Sequence, residues 1–200
     1  MTNLELWAWG ANNYGQLAKG QPCEQVERPL KLQKADLDAC SKIITGGGHT
    51  LLLTAGSLYA AGWNNKGQCG LKTFQDASEF MRVDTPAEFV HVAAGWDFSI
   101  GLDRHGCVYG CGSNAFGQLC LSKDVKFLDE FKLIEGLSNI KAVSCGMRHS
   151  LFMCNNGNIF VCGNGKKGQL CTETPLKENT FCAFEAVSYT HLTLPTTPYV

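Results

Sequence analysis

Gly10–Leu17 reads GANNYGQL, directly after the aromatic run Trp7-Ala8-Trp9. Two glycines and an asparagine at this spacing admit two readings. A phosphate-cradling loop occurs once, between a strand and a helix whose N-terminal N–H groups face the ligand. A structural turn can be reused. The rest of the chain decides between them. GWNNKGQC begins at Gly62, GSNAFGQL at Gly112 and GNGKKGQL at Gly163, so the starting glycines are 52, 50 and 51 residues apart. The shared pattern is G-x-N-x-x-G-Q-L, with Cys69 replacing Leu in the second copy and Gly165 replacing Asn in the fourth. A second motif keeps the same interval: GGGHTLLL from Gly46, GWDFSIGL from Gly95 and GMRHSLFM from Gly146. Two motifs locked to one period of roughly 50 residues are the signature of a repeat architecture.

A loop that recurs in every unit, with no helix-like segment behind it, is a turn. Its glycines supply positive φ, and its Asn and Gln amides bond local backbone. The structural positions are therefore Gly10, Gly15 and Gln16; Gly62, Gly67 and Gln68; Gly112, Gly117 and Gln118; and Gly163, Gly168 and Gln169. Gly46, Gly95 and Gly146 belong to the second motif, together with His49 and His149. Phe98 fills the histidine position in the middle unit, so that position is read as packing rather than as a metal ligand or catalytic base.

One unit reads as short strands. His91–Gly95 and Phe98–Leu102 precede a turn, DRHG, and Cys107–Gly112 follows it. HTLLL, TAGS and LYAAG repeat the pattern, as do HSLFM, CNNGN and IFVCG. Asn156-Gly157 between two apolar runs is a hairpin signal, because both residues tolerate positive φ. Charged segments separate the units, and within them Pro29 with LKL and Phe131 with KLI suggest a further outer strand. Four strands in about 50 residues fit the blade of a β-propeller, with the small residues of VAAG and VSCG suited to innermost strands near the axis. The expected fold class is all-β: a partial propeller of just under four blades.

Composition narrows the function. Net charge is -1 and there is no basic run, so the lysine and arginine footprint of a nucleic-acid binder is missing. No stretch is long and apolar enough for a membrane span. The N-terminus MTNLELWAWG lacks the basic and apolar regions of a signal peptide. The 11 cysteines are accordingly expected to be reduced thiols of cytosol or nucleus. No C-x-x-C pair exists, so no metal site is expected; Cys69, Cys111, Cys120, Cys162 and Cys171 read as small core residues. No nucleophile, base and orienting group recur together, so covalent catalysis is not expected. The variable residues inside the repeated loops, Trp63, Trp96, Asp97, Phe116 and Arg148, are candidates for contact with a protein partner or for packing between blades.

The paired motifs GWDFS/GMRHS and GSNAFGQL resemble the repeats of the regulator of chromosome condensation family. That resemblance covers about residues 4–186 and implies a seven-bladed propeller. ITGGGHT, AAGWDFSIGL and CGSNAFGQL most resemble a branch of guanine nucleotide exchange factors within it. The resemblance implies exchange on, or binding to, a small GTPase with no cofactor of the chain's own, and alternatively a non-catalytic scaffold. The founding exchange factor uses one propeller face and an inserted β-wedge. Here the spacing of 50 to 52 leaves no room for a large insertion, so no exchange residues carry over. Beyond residue 186 the period fails: Thr197 stands where the next motif glycine is due. Residues 1–186 are thus expected to be the N-terminal half of a longer propeller, and 187–200 a foreign or disordered tail.

Overall fold

The structure, a computed structural model, describes residues 5–32, 42–122, 124–171 and the backbone of 182–185. The atypical tail lies outside the described residues. Among those residues every regular element is a strand. The first sheet pairs β1 (Trp7–Asn12) with β2 (Cys23–Lys31). Three four-stranded antiparallel sheets follow, each in sequence order. They are β3 (Lys42–Thr45), β4 (His49–Thr54), β5 (Ser57–Gly62) and β6 (Ala77–Val83); β7 (Phe89–Ala94), β8 (Phe98–Asp103), β9 (Val108–Ser113) and β10 (Phe127–Leu133); and β11 (Ile140–Cys145), β12 (His149–Cys154), β13 (Asn158–Gly163) and β14 (Cys182–Glu185). We call the four sheets blades I to IV. The architecture is the expected all-β partial propeller.

Local sequence explains the hairpins. Asn156 Oδ1 accepts from Asn158 N at 3.0 Å, and Gly157 turns the chain at φ +91° between β12 and β13. The outer strands carry a feature invisible in the sequence. From Gly110 to Gly112 a step of two residues along β9 is matched by a step of four along β10, from Lys132 to Leu128. The same bulge recurs between Ala60/Gly62 and Met81/Ala77, and between Ala8/Gly10 and Leu30/Val26. Pro29 sits inside the last of these, on an outermost strand, where its missing N–H costs no ladder bond.

The core lies between blades rather than within them. Leu51, Leu53, Leu58 and Val83 of blade II pack with Phe89, Val92, Cys111 and Phe131 of blade III. Phe98, Ile100, Val108 and Ile134 of blade III pack with Ile140, Val143 and Phe152 of blade IV. Burial follows the neighbours. All six residues of β8, covered on both faces, are buried, whereas β12 alternates buried and half-buried. The innermost strands are joined near the axis by backbone bonds. Gly47 N donates to Gly95 O at 3.1 Å, and Trp96 N to Met147 O at 3.2 Å.

Candidate functional site

The loop motif is held by its own amides. Asn12, Asn64 and Asn114 are buried, and their Oδ1 atoms accept from Leu17 N, Cys69 N and Leu119 N at 3.0, 2.9 and 3.1 Å. Their Nδ2 atoms donate to carbonyls farther along the loop, at Gln21, at Thr73 and Gln75, and at Leu121, Ser122 and Val125. Gln16, Gln68, Gln118 and Gln169 each accept, through Oε1, from the N–H two residues earlier: Tyr14, Lys66, Phe116 and Lys167. The main-chain carbonyls of Gln16, Gln68 and Gln118 face the next blade, where Thr50, Ser99 and Ser150 donate hydroxyls at 2.8, 2.7 and 2.7 Å. One loop therefore closes its own turn and ties its blade to the following one. Gly67 and Gly112 show why glycine is needed: both have positive φ, and a Cβ at either would strike backbone of another strand.

The second motif is a packing device. The ring of His49 folds back on Gly46, that of Phe98 on Gly95 and that of His149 on Gly146, so a Cβ at any of these glycines would collide with it. His49 adds a polar link across the joint. Its Nε2 lies 2.9 Å from Ser99 Oγ, which itself donates to Gln68 O, so the imidazole is the donor and carries its proton on Nε2. Burial holds the His49 pKa down to about 4, which keeps the ring neutral.

The variable loop residues come together on one face, each reaching across a joint. Tyr14 of blade I stacks on Trp63 of blade II, ring centroids 5.1 Å apart. Lys66 of blade II acts electrostatically on Asp97 of blade III. The Arg148 guanidinium of blade IV lies 4.5 Å over the Phe116 ring of blade III. Trp96 covers Gly47 of the preceding blade yet is 40% exposed, and Met147 beside it is 57% exposed. Burial pushes the Asp97 carboxyl up, and the Ser113 hydrogen bond with the Arg148 and Lys66 charges opposes it. Asp97 Oδ1 and Arg148 Nε are buried without a hydrogen-bond partner. Sequence reasoning missed Tyr14, Lys66 and Met147. The signal was available, since the fifth position of each loop copy is Tyr14, Lys66, Phe116 or Lys167, as variable as the positions it did single out.

Near the axis a shallow depression is lined by Gly46, Gly47, Gly95, Trp96, Gly146 and Met147, among others, and its lining carries no titratable group other than the Cys145 thiol. Burial pushes the thiols of Cys69, Cys111 and Cys145 up, Cys145 to about 12, away from the thiolate a nucleophile needs. Among the described residues no cluster of three His, Cys, Asp or Glu is placed to hold a metal. The cysteine expectation needs correcting. Cys120 and Cys162 form a disulfide, Cα atoms 6.1 Å apart, between the loop of blade III and β13 of blade IV. Cys171 is exposed rather than a core residue. Sequence spacing could not reveal the pair, because its members meet only through the stacking of two blades.

Family models of the regulator of chromosome condensation (RCC1) repeat match residues 5–53, 55–102 and 105–153, and a second model of the same repeat matches 89–118 and 140–169. The chain belongs to the RCC1 repeat family. It is 39% identical over 166 residues to the secretion-regulating guanine nucleotide exchange factor of Mus musculus, covering 80% of this chain and 35% of that protein. It is 29% identical to the ultraviolet-B receptor UVR8 of Arabidopsis thaliana, covering 92% of this chain and 42% of the receptor. The chain thus spans well under half the length of these curated relatives. Among solved structures it resembles Prp20p of Saccharomyces cerevisiae, described with its binding to Gsp1p and histones, at TM-score 0.70 and 23% identity, over 81% of this chain and 42% of that one. This last likeness concerns the fold. In RCC1-repeat terms the matched units are offset from the blades by two strands: 55–102 holds β5 and β6 of blade II with β7 and β8 of blade III. Each repeat therefore links two blades covalently. No helix among the described residues is long and apolar enough to cross a membrane.

Proposed function

We propose that this chain is part of a protein-interaction propeller of the guanine nucleotide exchange factor type, whose loop face binds a small GTPase. The observation that carries the reading is that face itself. Trp63, Trp96, Asp97, Phe116 and Arg148 form one aromatic and charged surface with Tyr14, Lys66 and Met147. Exposed aromatics beside arginine are what protein contacts use. Identity to the mouse exchange factor supports the GTPase as partner. Exchange needs no covalent chemistry and no cofactor of the propeller's own. On this reading the chain works in cytoplasm or nucleus.

A scaffold without exchange activity is the second reading, favoured by the absence of an inserted wedge in the repeat spacing and by the receptor among the relatives. Release of a fluorescent guanine nucleotide from a panel of small GTPases tests both. Acceleration of at least tenfold by the full chain, lost on Trp96→Ala with Met147→Ala, fits the exchange reading. Saturable binding to a GTPase without acceleration fits the scaffold. No binding to any GTPase overturns the GTPase assignment.

A further inference from the structure

We propose that Cys120–Cys162 is a reversible thiol–disulfide exchange site for small thiols and disulfides of the glutathione class, and that it latches blade IV onto blade III. The residue after the loop leucine position is left-handed in every copy: Ala18 (φ 54°), Gly70 (67°), Cys120 (55°) and Cys171 (52°). The backbone thus aims the Cβ of Cys120 the same way whether or not a disulfide is present. The residue before the next motif glycine is the other half of the joint: Ala61, Cys111 and Cys162, all buried. One joint earlier, Gly70 and Cys111 stand where Cys120 and Cys162 stand; a Cβ built on Gly70 would lie 3.4 Å from Cys111 Sγ but only 2.8 Å from the Phe131 ring, so that joint has glycine and a free thiol.

That earlier joint displays the reduced state. The Cys111 thiol donates to Gln68 O at 3.5 Å. Gln118 O waits in the same place, 3.4 Å from Cys162 Sγ. Reduction therefore leaves Cys162 with an acceptor already in position, and oxidation leaves Gln118 O still bonded by the Ser150 hydroxyl at 2.7 Å. Neither state strands Gln118 O or the Cys162 sulfur, which is the condition for a two-way switch. Access sets the direction of attack. Cys162 is 1% exposed and Cys120 is half-buried, so an incoming thiolate reaches Cys120 Sγ. A bond forms between the small thiol and Cys120, the Cys120–Cys162 bond breaks, and Cys162 leaves as a thiolate that takes a proton and donates to Gln118 O. A second small thiol attacks the mixed disulfide and releases Cys120 as a thiol. Two small thiols are oxidised to one disulfide and the protein disulfide is reduced to two thiols. The oxidised small disulfide drives the reverse.

The latch sits at the joint that also carries Phe116 under Arg148, so closing it fixes both blades at that end of the loop face. The test uses the full chain equilibrated in mixtures of reduced and oxidised glutathione, with free thiols then alkylated. Fragment-ion mass spectrometry reads the Cys120–Cys162 pair, and limited proteolysis reads cleavage between residues 140 and 171. The pair should pass from linked to free across the glutathione mixtures, and cleavage in blade IV should rise at least fivefold on reduction. Cys120→Ala should cleave at the fast rate in every mixture. A pair that stays free in oxidised glutathione alone, or stays linked in excess reduced glutathione, overturns the proposal on the wild-type chain without any variant. So does a redox effect on cleavage that persists in Cys120→Ala.

Discussion

At the scale of the residue, His49 shows how burial alone makes a histidine pH-sensitive. Its ring is fully buried, donates to Ser99 and is held neutral with a pKa of about 4. In the unfolded chain it titrates near 6.5. A folded value below the unfolded one means the unfolded state binds the extra proton between these limits. The neutral ring's contribution is therefore full above about pH 6.5 and is lost as pH falls toward 4, up to on the order of 3 kcal/mol. Phe98 shows that a phenyl ring fits the same position in blade III, so His49→Phe should flatten the pH dependence of urea unfolding over this window while preserving the fold. The glycines differ by location in a similar way. A Cβ at Gly112 would lie 2.6 Å from Asp97 O and from Phe98 Cα, whereas one at Gly10, the same repeat position, meets nothing within 4 Å. Gly112→Ala should therefore cost more than the ~1–2 kcal/mol of left-handed strain that alone burdens Gly10→Ala, and thermal melts of the two variants compare them directly.

At the scale of the element, the loop and not the strand is the connector. Asn114, itself buried, accepts from Leu119 N and donates to the carbonyls of Leu121, Ser122 and Val125, all within one loop. Asn114→Ala strips those groups of their partner and should cost roughly 2–4 kcal/mol in denaturant unfolding, with loss of protection for the Leu119 amide in hydrogen exchange. The same loop is cross-linked by Cys120–Cys162 over a sequence separation of 42. Loop-closure entropy for that length corresponds to about 4 kcal/mol, so the reductant-dependent loss of stability in urea should lie at or below this value and vanish in Cys120→Ala.

At the scale of the whole molecule, cores between blades leave the outer faces of the first and last sheets without a neighbour among the described residues. Trp9 occupies the repeat position of Ala61, Cys111 and Cys162, yet it is 59% exposed, and Trp7 is 47% exposed. The chain therefore should bind a hydrophobic dye in its folded state, and Trp7→Gln with Trp9→Gln should lower that fluorescence severalfold without shifting the far-ultraviolet circular dichroism. Addition of a segment that covers the face should lower it equally.

The period of Gly, Asn and Gln determined the architecture, because every copy of the turn needs the same left-handed glycines and the Gln amide, three of the four add the Asn amide, and chemistry that local is written in neighbouring residues. The strands, their order and the all-β class were legible for that reason, as was the ring at His49 and Phe98. The outer strands were legible only in part: Pro29 and Phe131 marked them, but the repeated bulge beside Gly10, Gly62 and Gly112 depends on pairing with residues 15 to 22 positions away in sequence. Trp63, Trp96, Asp97, Phe116 and Arg148 could be picked from the sequence as variable, but not paired. That Phe116 lies under Arg148, that Tyr14 covers Trp63, that His49 finds Ser99 and that Cys120 finds Cys162 were decided only by tertiary structure. These partners lie on successive blades, and their distance is set by how two sheets stack, a quantity that no local spacing encodes.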